Sequence, residues 1–184
     1  MTNLTKIANK HNTDKGTVAY EKHGYTEEYS KYIPETGNYK LLEIGIWHGD
    51  SLKMWNDYNP DMIIHGIDND VSVTRYINSF DNVHVHIGNA SSPVFLDKII
   101  PEMGEFDFII DDGSHKYEDI LESFKYLYDY LKPGGYYFIE DLHAQQAQKS
   151  RLIADIYDAL EELDPDHKSL GLFCNDKLWI IQKS

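Results

Sequence analysis

Short runs rich in Ile, Val, Leu, Phe and Tyr alternate along this chain with longer segments of helical spacing. No other feature of the sequence limits the fold as strongly. Five such runs are Leu41–Ile46, Ile63–Ile67, Val83–Ile87, Phe106–Ile110 and Tyr136–Ile139. Between them the spacing predicts helices over about Asp50–Tyr58 (stopped near Pro60), Val71–Phe80 and Pro93–Ile100. After the fourth run Ile120, Leu121, Phe124, Leu127 and Leu131 follow the clearest helical period, which Pro133-Gly134-Gly135 is expected to end. A helix over about Gln146–Leu163 then precedes two closing strands, about Leu170–Cys174 and Leu178–Ile181, with Asn175-Asp176 as the hairpin turn. Alternation of this kind implies right-handed βαβ units and an α/β, doubly wound, mostly parallel sheet covered on both faces. The closing pair, with no helix between its members, predicts one antiparallel strand at the end of the sheet.

The 184 residues fit one domain, 1–184, in which residues 1–38 form a lead-in or cap and 39–184 the core. Tyr20, Tyr25, Tyr29, Tyr32 and Ile33 of the lead-in are expected to pack on the sheet edge or fold over a ligand. An apolar fraction of 41% is modest, but 14 Tyr, 7 Phe and 3 Trp bury large areas per residue, so disorder is not expected. The 17 Lys and Arg against 31 Asp and Glu leave a net charge of −14, which disfavours nucleic acid and anionic membrane as partners. Cys174 is the sole cysteine, which excludes an internal disulfide and Cys-based zinc clusters. No apolar run has membrane-spanning length and Met1–Asn12 is polar, so a cytoplasmic protein is expected. Oligomeric state stays open, a homo-oligomer included.

In open α/β sheets ligands bind beyond the carboxyl ends of the strands. The first strand leaves through Glu43-Ile44-Gly45-Ile46-Trp47-His48-Gly49, where glycines permit close backbone approach to a ligand. The spacing is G-x-x-x-G rather than G-x-G-x-x-G, which argues against an NAD-dependent oxidoreductase. Glu43 suits a ligand bearing an amine or positive charge. Trp47 and His48 either cover a ligand or simply pack. The second strand ends at Asp68, placed to accept both hydroxyls of an adenosine ribose or, alternatively, to cap the next helix. Asn89, after the third strand, faces an adenine edge or serves as a turn residue.

The fourth and fifth strands leave through Asp111-Asp112-Gly113-Ser114-His115 and Glu140-Asp141-Leu142-His143. Clustered carboxylates repel unless protonated or neutralised, so a bound cation is the economical explanation. Asp112, Glu140 and Asp141 form a hard oxygen set suited to Mg²⁺, Mn²⁺ or Ca²⁺ rather than zinc. His115 sits beside them as a candidate general base. The blander reading makes Asp111, Asp112 and Asp141 helix caps. His84 and His86 read as half-exposed sheet residues, and His143 has no firm role.

These residues resemble those of a known family. Glu43-x-Gly45-x-x-x-Gly49 followed by Asp68 resembles the S-adenosylmethionine site of class I methyltransferases. Asp112-Gly113-Ser114-His115 and Glu140-Asp141 resemble the metal and base motifs of macrocin/mycinamicin-type sugar O-methyltransferases. Asn12-Thr13-Asp14-Lys15-Gly16, His23-Gly24-Tyr25 and Tyr29 resemble that family's lead-in. The resemblance implies a Rossmann-like seven-stranded sheet in the order 3-2-1-4-5-7-6 with strand seven antiparallel. It implies S-adenosyl-L-methionine at Glu43, Gly45, Trp47, Gly49, Asp68, Asn89 and Asp111. Asp112, Glu140 and Asp141 would hold a divalent metal, in the first instance Mg²⁺, with His115 as the base. The expected reaction is O-methylation of a sugar or similar polyol, a saccharide or other small molecule being the partner. The chain lacks the large extra domain of some macrolide-modifying members, which argues against a macrolide acceptor, and Asn89 replaces an acidic residue common in methyltransferases. Two alternatives stay open: metal-independent N- or carboxyl-methylation, and a non-catalytic cofactor-binding module.

Overall fold

The computed structural model describes residues 1–19, 22–75, 80–145 and 147–184. Its strands are β1 (Lys40–Ile44), β2 (Ile63–Asp68), β3 (Val83–Ile87), β4 (Phe106–Asp111), β5 (Leu131–Ile139), β6 (Lys168–Phe173) and β7 (Leu178–Gln182). They form one seven-stranded sheet in the order β3-β2-β1-β4-β5-β7-β6. The pairs among β1 to β5 are parallel, whereas β7 runs antiparallel to both β5 and β6. This is the order and the antiparallel strand expected above. The turn between β6 and β7 puts Cys174, Asn175 and Asp176 in the left-handed region, which short polar residues adopt more readily than most.

Six α-helices are seen among the described residues: α1 (Asn3–His11), α2 (Thr26–Tyr29), α3 (Asp50–Tyr58), α4 (Pro93–Met103), α5 (Tyr117–Leu127) and α6 (Lys149–Leu163). None is long and apolar enough to cross a membrane. Alternate strand residues point to opposite faces, so the sheet divides its apolar side chains between two cores. Leu42, Ile44, Ile109, Tyr137, Ile139 and Ile181 meet α4, α5 and α6 on one face. Leu41, Ile64, Ile110, Phe138 and Ile180 meet α1, α3 and the lead-in on the other, where Trp55, Tyr25 and Tyr29 are fully buried.

Three expectations are corrected. Val71–Arg75 is a 3₁₀ helix where an α-helix is expected; the rest of the expected helix, residues 76–79, lies outside the described residues, as do Tyr20 and Gln146. Helix α5 ends at Leu127, and Pro133-Gly134-Gly135 lies inside β5 instead of terminating the helix. The register between β4 and β5 shifts between Phe106 and Phe108, and such an irregularity tolerates a proline with no N–H to give. Helix α4 continues past Ile100 because Met103 still reaches the core.

Register fixes what leaves the sheet together. Ile44 pairs with Asp111, and Asp111 with Ile139, so the next residues Gly45, Asp112 and Glu140 emerge side by side at one edge.

Candidate active site

Gly45 stands where only glycine fits. Its φ is 78°, and a Cβ there would lie 2.0 Å from the Asp112 carbonyl oxygen, so the loops after β1 and β4 touch through it. Gly49, at φ 70°, opens α3 as its N-cap. Two cavities of about 400 Å³ each flank this contact. The inner groove is bordered by Gly45, Asp68, Asn89, Asp111, Gly113 and Ser114, among others. The outer cavity includes Lys15, Trp47, Asp68, Asp112, His115 and Asp141.

Asp68 ties the groove's rim to the glycine loop. Its Oδ2 accepts from the backbone N–H of Ile46 at 3.0 Å and of Trp47 at 3.1 Å, and its Oδ1 accepts from Asp70 N–H. Asn89 accepts from the N–H and hydroxyl of Ser91, so the turn role is present in addition to its place on the groove. Asp111 turns inward: Ser123 donates to it at 2.5 Å, and burial pushes its carboxyl up to about 6. Trp47 is 71% exposed and stacks on His48, so it is not core packing.

The acids after β4 and β5 cap neither α5 nor α6, whose N-cap is Gln148. The N-cap of α5 is Lys116, with no side-chain cap bond. Asp112 Oδ1, His115 Nε2 and Asp141 Oδ2 converge instead. His115 Nε2 lies 4.0 Å from the first oxygen and 3.7 Å from the second, and the three residues offer ligand atoms within 4.8 Å of one another. His115 and Asp141 have φ of 55° and 53°, a left-handed backbone that non-glycine residues adopt at a cost and that clusters at functional sites. Glu140 takes a different direction from its expected partners. It is buried, accepts from the Tyr29 hydroxyl, and meets Lys15 Nζ at 2.8 Å. Glu43 likewise lies beneath the glycine loop and lines neither cavity, with Lys15 Nζ 3.3 Å from its Oε1.

Residues 42–142 match the family model described as a methyltransferase domain. The chain belongs to that methyltransferase-domain family. It is similar to the mycinamicin VI 2''-O-methyltransferase of Micromonospora griseorubida, 33% identical over 129 residues, covering 65% of this chain and 32% of the relative. The demethylmacrocin O-methyltransferase of Streptomyces fradiae is 35% identical over 130 residues, again 65% of this chain and 32% of the relative. This methyltransferase domain thus spans about a third of the length of these curated relatives. The MycE methyltransferase of the mycinamycin biosynthetic pathway, solved with Mg, SAH and mycinamycin VI, superposes with a TM-score of 0.80 at 25% identity, over 100% of this chain and 54% of that one.

Electrostatics in the methyltransferase domain follow from burial. Desolvation raises Glu43 to about 7 and Glu140 well above the carboxylate range. Burial alone would depress the Lys15 ammonium, but Asp112, Glu140 and Glu43 outweigh it and hold it well above its ordinary value. Asp141 is also desolvated, yet the Tyr25 hydroxyl at 2.6 Å and the facing imidazoles of His23, His115 and His143 keep it low. Reading motifs after strands missed Lys15 and the hydroxyls of Tyr25 and Tyr29, because they belong to the lead-in. The signal was arithmetic: so many buried acids at one edge require a buried cation.

Proposed function

We propose that the chain is the catalytic unit of an S-adenosylmethionine-dependent, divalent-metal-dependent O-methyltransferase. In this reading residues 1–38 cap a core of residues 39–184 and the acceptor is a hydroxyl of a saccharide or similar polyol. The observation that carries the reading is the grouping of Asp112, His115 and Asp141 beside a groove bordered by Gly45, Asp68 and Asn89. Two carboxylate oxygens facing one imidazole suit a hard divalent ion, Mg²⁺ first, and the named relatives act on oxygen.

When bound, a divalent ion supplies Lewis acidity to an acceptor hydroxyl and S-adenosylmethionine supplies an electrophilic methyl carbon. The protein then has three tasks. Asp112 Oδ1 and Asp141 Oδ2 hold the ion. Gly45, Asp68, Asn89 and Trp47 would hold the adenosyl part of S-adenosylmethionine and fix its methyl group relative to the acceptor. His115 Nε2 takes the hydroxyl proton. Acidic Asp14, Asp50 and Asp70 at the outer cavity favour a neutral or cationic acceptor over a phosphorylated one, in keeping with a net charge of −14. A nucleic-acid partner is disfavoured on the same ground, and a cytoplasmic location is part of the same reading.

The test is a methyl-transfer assay against a panel of glycosides with labelled S-adenosylmethionine, with and without excess chelator. The expected outcome is transfer that chelator abolishes and Mg²⁺ restores. Undiminished transfer in chelator would remove the metal from the reading.

A further inference from the structure

Lys15 is 1% exposed at its side chain, and its ammonium has three N–H donors and three carboxylates around it. Asp112 Oδ2 lies at 2.5 Å, Glu140 Oε1 at 2.8 Å and Glu43 Oε1 at 3.3 Å. Neither Glu43 oxygen has a hydrogen bond of good geometry, and the Lys15 ammonium, ahead of the Ser51 hydroxyl, is the main group that compensates this buried carboxylate. The loop that carries Lys15 is fixed: Lys15 accepts from Thr26 N–H, Asp14 from His23 N–H, and Gly16 from Gly24 N–H.

The carboxylates also divide their oxygens. Asp112 gives Oδ2 to Lys15 and turns Oδ1 toward His115. Asp141 accepts from Tyr25 at Oδ1 and turns Oδ2 toward His115. One inner seat therefore holds an ammonium, and one outer seat presents Asp112 Oδ1, His115 and Asp141 Oδ2. Carboxylate clusters of this size in other enzymes hold two divalent ions about 3.5–4 Å apart.

We propose that Lys15 is a positioning residue that fills the inner of two adjoining cation seats, sharing Asp112 with the outer one and limiting the site to a single exchangeable divalent ion. The proposal rests on the metal reading given above. A fixed ammonium keeps Asp112 and Glu140 oriented before any metal arrives, and it repels a second dication from the inner seat.

Calorimetric titration of the chain with Mn²⁺ alone, paired with thermal melts, tests this. Wild type is expected to bind one ion. Lys15→Met should lower the metal-free Tm by more than ~5 °C, since it strands buried carboxylates. It should also raise the stoichiometry to two and enlarge the Mn²⁺-induced rise in Tm. Lys15→Arg keeps the charge and should bind one ion. A Lys15→Met protein that binds one ion with wild-type affinity and stabilisation overturns the proposal while leaving the outer seat intact; so does a wild type that binds two. No binding by wild type overturns the metal reading itself and the proposal with it. Should Lys15→Met prove insoluble even in Mn²⁺, the Lys15→Met/Glu140→Gln pair decides. Recovery of folding supports neutralisation as the role of Lys15, and continued insolubility overturns it.

Discussion

His115 is held in a left-handed backbone with its Nε2 between two carboxylates, 32% exposed at its side chain and facing the outer cavity. That placement suits proton removal and also suits a metal ligand, and one variant separates the roles. His115→Ala is expected to lower turnover by about 10²–10⁴-fold, the usual worth of a general base. Binding of S-adenosylhomocysteine and of Mn²⁺, both followed by calorimetry, should stay near wild type. A collapse of Mn²⁺ affinity would make His115 a ligand instead. At this scale the sequence was informative about residue type and less so about direction. Asp112, His115 and Asp141 were legible as neighbours because each follows a strand end. That Glu140 would face Lys15 was not, because the partner lies 125 positions earlier (140 − 15) and no local pattern links them.

Strands β2 and β3 carry three histidines within two register steps, since His65 pairs with His84 and also lies 3.1 Å, Nδ1 to Nε2, from His86. Burial, with His86 and His84 nearby, pushes His65 down to about 3. Its folded value lies below its unfolded value of about 6.5, so the unfolded chain binds more protons between those limits. Stability from this residue is complete above pH ~6.5 and is lost as pH falls toward 3, with a slope of up to about 1.4 kcal/mol per pH unit. Chemical denaturation of wild type and His65→Asn at pH 7 and pH 5 isolates this contribution from that of the raised carboxyls: the stability of wild type relative to the variant should fall as the pH is lowered, and a pH-independent difference would remove it. The strands themselves were legible from their β-branched runs to within a residue or two at most ends. The start of β5 was not. Pro133-Gly134-Gly135 carries the same local signal whether it stops a helix or sits at a strand irregularity, and pairing with Phe106 decides which.

The lead-in is part of the whole molecule's second core. Leu4, Ala8, Tyr25, Tyr29 and Ile33 are all at most 1% exposed against α3 and the sheet. Full burial of a large apolar side chain contributes about 1.5–3 kcal/mol, and whole domains hold only about 5–15 kcal/mol in reserve. Deleting residues 1–38 should therefore leave a chain without cooperative unfolding or native near-ultraviolet circular dichroism, whether or not Mn²⁺ is added. A deletion variant that melts cooperatively would reduce the segment to an accessory. A mostly parallel, doubly wound sheet with one antiparallel strand was legible because strand–helix alternation leaves few alternatives, whereas the strand order came from the family resemblance. The pairing of lead-in with sheet was not, since four tyrosines at a sheet edge fit a lid as well as a core.

The bonds from Lys15, Tyr29 and Tyr25 to the acids that follow β4 and β5 span 97, 111 and 116 residues of chain. Contacts of such sequence separation close long loops, whose entropy cost must be met before the contacts reward it. During synthesis the first forty residues leave the ribosome well before β5 exists to receive them. Until then α3 gives Leu4 and Tyr29 a partial surface, while the side of Tyr29 that Phe138 and Glu140 cover stays open, so the nascent chain carries a half-covered aromatic segment until β5 is made. The hazard of misassociation falls in that interval, and it ends when the last parallel strand is in place.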